Sequence, residues 1–125
     1  MLEFAVFKVS GPVAVRYPRG GEGHYRAGGV SPSKVPRMGT DITIVTYGLM
    51  INTAMKAAEL LNRRGVSAEI LKLDFISPLD MRGIIKSVAK TGRMLAVSYT
   101  HLQSKWRREG AGHAYFENKH RTNPG

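Results

Sequence analysis

A chain of 125 residues, 42% of them hydrophobic, has room for one small domain with a buried core. The formal charge of +10 admits nucleic acid, anionic surfaces and small phosphorylated ligands as partners, but no block of about five or six like charges concentrates it. The absence of cysteine excludes disulfides and thiolate metal sites and points to a cytoplasmic location; no apolar run approaches the ~20 residues that a membrane span needs.

Residues 1–9 (MLEFAVFKV) are too short and too mixed for a signal peptide. Leu2, Val6 and Val9 recur at near-helical spacing, so the stretch reads as the end of a helix, with Met1 an internal methionine. Ser10-Gly11-Pro12 stops it. Residues 13–17 (VAVRY) then predict a short strand whose apolar side chains suit a buried sheet. Pro18-Arg19-Gly20-Gly21 ends that strand. Residues 20–41 are rich in glycine and proline and read as an interdomain connection, with a short strand at 34–37.

The chain is organised around residues 39–72. Ile42, Ile44 and Val45 form a β-branched run closed by Tyr47-Gly48. Ile51, Ala54, Met55, Ala58 and Leu61 follow at helical spacing. Arg63 and Arg64 suit the carbonyl end of that helix, Gly65 suits the position after it, and residues 68–73 (AEILKL) make the next strand. Strand, helix and strand in this order make a βαβ unit with parallel strands and a right-handed crossover. Asp80 is placed to cap a second helix, with Leu79 and Ile84 as a hydrophobic staple. Ile84, Ile85, Val88 and Ala89 are its predicted buried stripe, Thr91-Gly92 its end, and residues 94–97 a third parallel strand. The fold class is therefore α/β, a mostly parallel sheet flanked by helices. Beyond Val97 the periodicity stops.

Two blocks carry a family resemblance. GPVAVRYPRG (residues 11–20) resembles the strand ending in an RYPRG turn of 1-deoxy-D-xylulose-5-phosphate synthases, thiamine-diphosphate enzymes of the transketolase superfamily. GTDITIVTYGLM and LKLDFISPLD resemble the opening of the last domain of the same enzymes; alone, that block fits any transketolase-like C-terminal domain, pyruvate dehydrogenase β subunits included. The resemblance divides the chain into residues 1–20, the end of a pyrimidine-binding domain, 21–38, an interdomain linker, and 39–97, a truncated transketolase C-terminal domain. Residues 98–125 become a non-family tail, disordered or a scar. The string VSYTHL (97–102) resembles a transposon-type adapter translated in frame.

The family activity so implied is condensation of pyruvate with glyceraldehyde 3-phosphate, with decarboxylation, supplying isoprenoid, thiamine and pyridoxal precursors. The full-length enzymes are homodimers using thiamine diphosphate and magnesium. This chain lacks their diphosphate-binding domain and the glutamate that activates the cofactor. It is thus expected to bind neither group and to be inactive alone. The resemblance places a substrate phosphate near the RYPRG turn, making Arg19, and after it Arg16, the candidate ligands; guanidinium groups grip phosphate bidentately. The plain alternative is a solvent or interdomain ion pair.

Other features have plainer readings. Tyr47-Gly48 precedes a helix N-terminus that could bind an anion, but one glycine marks a structural turn first. His24 reads as a solvated loop histidine, and His101, His113 and His120 have no zinc spacing. Lys105, Arg107 and Arg108 around Trp106 read as a basic tail before a nucleic-acid patch, so nucleic acid is not the expected partner. Two alternatives stay open: a stand-alone interaction module or pyruvate dehydrogenase β-type piece, and a basic nucleic-acid-binding domain.

Overall fold

The computed structural model describes residues 1–16, 24–25 and 28–97. In chain order the elements are α1 (Leu2–Lys8), β1 (Ser33–Arg37), β2 (Ile42–Tyr47), α2 (Met50–Arg63), β3 (Ala68–Leu73), α3 (Met81–Thr91) and β4 (Met94–Ala96). The strands form one sheet in the order β1-β3-β2-β4.

The central pair is the expected βαβ unit. β2 and β3 run parallel, in register from Ile42 opposite Ala68 to Tyr47 opposite Leu73. β4 adds in parallel on the far side of β2, with Ile44 opposite Leu95. β1 closes the other edge antiparallel to β3, with an irregularity between Lys34 and Arg37. The expected short strand at 34–37 is therefore present, and it makes the sheet mixed at one edge.

Side-chain alternation across the two central strands divides the core in two. Ile44, Ala68 and Ile70 face α2 and pack on Ile51, Ala54 and Ala58. Val45, Leu71 and Leu73 face α3 and meet Ile84. The small residues Ala54 and Ala58 let α2 lie close to the sheet, and both are buried.

The ends of the helices follow local chemistry. The Asp80 carboxylate accepts a bond from the Gly83 main-chain N–H at 3.0 Å, which makes it the N-cap of α3. Gly92 closes α3 at φ +72°, and Gly65 follows α2 at φ +78°, both in the left-handed region that glycine enters without strain. Gly39 is constrained in another way. A side chain there would collide with the main chain at Ala68 and Glu69, so the approach of the segment before β2 to β3 requires glycine.

Two expectations need correction. Residues 13–16 form no strand and pair with no described residue, and Val13 is 45% exposed. Their apolar pattern is that of a strand, but both edges of the sheet lie elsewhere, and a strand without a ladder partner has nothing to satisfy its main chain. The predicted stripe of α3 is rotated. Ile84 is buried and Val88 half-buried, but Ile85 is 60% exposed and Ala89 exposed; Ser87 and Thr91 take the inner face instead. A buried polar network holds them there.

α1 touches the rest through an aromatic pair, Phe4 against Phe75, with ring centroids 5.7 Å apart. Leu2, Val6 and Phe7 on α1 stay exposed. No helix among the described residues is long and apolar enough to cross a membrane.

Candidate functional site

The carboxyl ends of parallel strands are where α/β folds usually bind ligands. Here β2 and β3 end at Tyr47-Gly48 and at Leu73-Asp74. Thr46 and Lys72 lie opposite each other one step before, on the α2 side of the sheet. The Lys72 ammonium stands 5.9 Å from the centre of the Tyr25 ring, a cation–π distance. The Tyr25 main-chain N–H donates to Asn52 Oδ1 at 3.1 Å, which anchors this part of the preceding segment on the first turn of α2.

Asp74 gathers the charges. It pairs with Lys72, and its other oxygen lies 3.1 Å from Lys34 Nζ, reaching in from β1. The Ser31 N–H points at the same oxygen at 3.4 Å. Lys34 Nζ also donates to the carbonyls of Gly28 and Gly29, at 2.8 and 2.5 Å. Burial pushes the Asp74 carboxyl upward, but the two lysines outweigh it and hold the group below its usual 3.8. Asp74 is thus ionised and fully engaged, and neither lysine is left as a free nucleophile or base.

A second cluster lies under α3. Glu69, 1% exposed in the middle of β3, accepts hydrogen bonds from the Ser87 hydroxyl and the Lys90 ammonium. Thr43 on β2 links to Ser87 at 3.1 Å and to Thr91 at 2.7 Å. Burial raises the Glu69 carboxyl, but Lys90, Ser87 and the Gly39 N–H together bring it below its ordinary value of 4.5. This cluster clamps α3 to the sheet. Sequence periodicity missed it because it weighs only apolar side chains; the i, i+4 spacing of Ser87 and Thr91 was the available signal.

Of the residues named from sequence, Arg16 is exposed and makes no ion pair with a described carboxylate. Arg19 and the turn around it lie outside the described residues, as do the tail histidines and the cluster around Trp106. Arg16 and Arg19 therefore remain expectations. His24 is exposed. Gly48 has φ +56° and accepts from the Ile51 N–H, so Tyr47-Gly48 is a turn. The Asn52 amide returns to the Leu49 carbonyl rather than reaching outward.

The described residues do not fit thiamine diphosphate with its magnesium. No three carboxylate or imidazole groups converge among the described residues, and the two buried carboxylates are already paired with lysines. What the geometry can do is fix one element against another: the entering segment through Asp74, α3 through Glu69.

Comparison with known proteins agrees with this scaffold. The family "Transketolase, C-terminal domain" matches residues 32–103. The pyruvate dehydrogenase E1 component subunit beta of Bacillus subtilis is 47% identical over 70 residues, which is 56% of this chain and 22% of that protein. The 1-deoxy-D-xylulose-5-phosphate synthase of Desulforudis audaxviator is 41% identical over 103 residues, 78% of this chain and 16% of that protein. Among solved structures, a split-gene transketolase described as an inactive beta4 tetramer superposes with a TM-score of 0.53. It is 28% identical, and the match covers 54% of this chain and 23% of that one. The chain thus spans about a fifth of the length of the curated relatives it matches. With the family match covering more than half of its residues and the mixed, four-stranded sheet agreeing with it, the chain belongs to the transketolase family through its C-terminal domain.

Proposed function

We propose that this chain is the C-terminal part of a 1-deoxy-D-xylulose-5-phosphate synthase. The supporting observation is the reach of the similarity. Relatives of that name align over 78% of the chain, well past the share covered by the pyruvate dehydrogenase β subunit. In the whole enzyme this piece packs and orients the other domains, and Arg19, and after it Arg16, binds the phosphate of glyceraldehyde 3-phosphate. Thiamine diphosphate and magnesium supply the decarboxylation chemistry when bound, on residues outside this chain. The whole enzyme is read as a cytoplasmic homodimer, and the isolated chain as inactive.

The higher identity of the Bacillus subtilis subunit, 47% over its shorter span, supports a second reading as a piece of a pyruvate dehydrogenase β-type subunit. Grafting separates the two. Residues 1–97 replace the matching segment of a deoxyxylulose-phosphate synthase and, in parallel, of a pyruvate dehydrogenase β subunit. The expected result is carboligation of pyruvate with glyceraldehyde 3-phosphate in the first host only, with Arg19→Ala raising the KM for the phosphorylated substrate. Activity in the second host alone overturns the reading.

A further inference from the structure

The carboxyl ends of β2 and β3 are covered by the chain itself. The described residues ahead of β1, 24–25 and 28–32, are fastened there at three points. The Tyr25 N–H donates to Asn52 Oδ1 at 3.1 Å. Lys34 Nζ donates to the carbonyls of Gly28 and Gly29. The Pro32 carbonyl accepts from the N–H groups of Asp74 and Phe75, at 3.1 and 3.3 Å.

Ligands usually bind at this end of an α/β sheet, but here its polar groups are engaged. Asp74 holds Lys34 and Lys72. Asn52 uses both ends of its amide, because its Nδ2 donates to the Leu49 carbonyl at 3.2 Å. The Thr46 hydroxyl has no hydrogen-bond partner, but it is buried away from solvent. This end of the sheet is thus a socket for a length of main chain. Within it, Asn52 sets the direction. It sits in the first turn of α2, and its bond to Leu49 fixes the amide so that Oδ1 meets the Tyr25 N–H. The Tyr25 ring is half-buried against the apolar cluster under α2, with the Lys72 ammonium 5.9 Å from its centre. A packed ring fixes where the chain lies at residue 25; a bonded N–H also fixes which way it runs.

Arg19 precedes Tyr25 by six residues. Six residues span at most about 20 Å, so a fixed Tyr25 limits where Arg19 can stand. Without that anchor the next fastened residue is Gly28, nine residues from Arg19, and the limit widens to about 30 Å. We propose that Asn52 is a positioning residue for the substrate phosphate: through the Tyr25 N–H it sets the path of the chain that carries Arg19. This inference rests on the reading of Arg19 as the phosphate ligand. A guanidinium displaced from its place loses its fit to the phosphate oxygens, while contacts to the rest of the substrate are untouched.

Two measurements test it. On the full chain, exchange of the Tyr25 amide is followed by NMR. It should be about fivefold faster in Asn52→Ala, the scale set by one neutral hydrogen bond. Exchange should return to the parental rate in Asn52→Asp, whose carboxylate accepts from Tyr25 but cannot donate to Leu49. In the synthase graft, the same variants and Tyr25→Ala are assayed with pyruvate and either glyceraldehyde 3-phosphate or unphosphorylated glyceraldehyde. Asn52→Ala and Tyr25→Ala should raise KM for the phosphorylated acceptor about fivefold, with kcat and the KM for pyruvate and for glyceraldehyde within about twofold. Asn52→Asp should match the parent. Far-UV circular dichroism confirms that each variant stays folded. Unchanged Tyr25 exchange in Asn52→Ala, equal KM changes for the two acceptors, or no recovery in Asn52→Asp overturns the proposal. A parent graft without carboligation overturns instead the reading of function and the phosphate role with it, whereas the docking of Tyr25 on Asn52 is still decided by exchange on the full chain.

Discussion

Lys90→Met should destabilise the protein more than Glu69→Gln does, although the two residues share one ion pair. The Glu69 side chain is 2% exposed, whereas that of Lys90 is 41% exposed. Removing the lysine strands a charge in the interior; removing the charge of Glu69 leaves an ammonium that can turn to water. Breaking a buried pair by deleting one partner costs ~3–5 kcal/mol. The Ser87 hydroxyl and the Gly39 N–H still serve the carboxylate, so Lys90→Met belongs near the lower limit, about 3 kcal/mol. Glu69→Gln keeps an acceptor for Ser87 and loses only the charge-assisted part of its bonds, about 1–2 kcal/mol. The double variant should cost little more than Glu69→Gln, which gives a coupling of about 3 kcal/mol.

Urea unfolding followed by circular dichroism at pH 7 measures all four corners of that cycle. Repeating it near pH 4 adds a second signature. Without Lys90 the carboxyl of Glu69 takes up a proton more readily, so the penalty of Lys90→Met should shrink as the pH falls. A penalty below about 0.5 kcal/mol with no coupling, the behaviour of a pair in open solvent, would refute the account of the clamp.

Three further outcomes are expected. Glu69, Asp74 and Asp80 all have depressed pKa values in the folded state: the first two because their lysine partners outweigh burial, Asp80 because Ser33 and the Gly83 N–H bond it. Their contributions are complete above the unfolded values of 4.5 and 3.8 and are lost as the pH drops through the lower folded ones. Urea midpoints should therefore be flat near neutrality and fall steeply below about pH 4.5. Thr46→Val should raise stability by about 1 kcal/mol in the same assay, because the Thr46 hydroxyl is buried without a hydrogen-bond partner and valine keeps its shape. Gly39→Ala should cost about 2 kcal/mol or more, because the added methyl meets main-chain atoms that cannot turn aside.

The βαβ unit was legible because its signals agree. A β-branched run, a helical apolar stripe and a glycine after the helix all favour the same elements, and no long-range contact is needed to read them. Asp80 as a cap, Leu79 beside Ile84 and Gly92 as a stop were legible for the same local reason. The rotation of α3 was not. Ile85 and Ala89 look like core residues until Glu69, far away in sequence, claims Ser87 and Lys90 for the inner face. The strand expected at 13–17 is missing over its described residues, 13–16, because strand formation depends on a neighbour that a local pattern does not supply. At the candidate site, Asp74 sat inside a recognisable block, yet its partners Lys34 and Lys72 come from different strands. Only the antiparallel docking of β1 brings them together.

Asp74 also has a mechanical consequence. A pull applied from the N-terminal side reaches the sheet through β1, an edge strand held to β3 by an irregular ladder. Such a strand peels away bond by bond, which resists force poorly. The salt link from Lys34 to Asp74 stands across that peeling path and acts as a latch on β1. In a longer polypeptide, tension from a preceding domain would meet the Phe4–Phe75 and Tyr25–Asn52 contacts and then this latch, before β2 and β3 are parted.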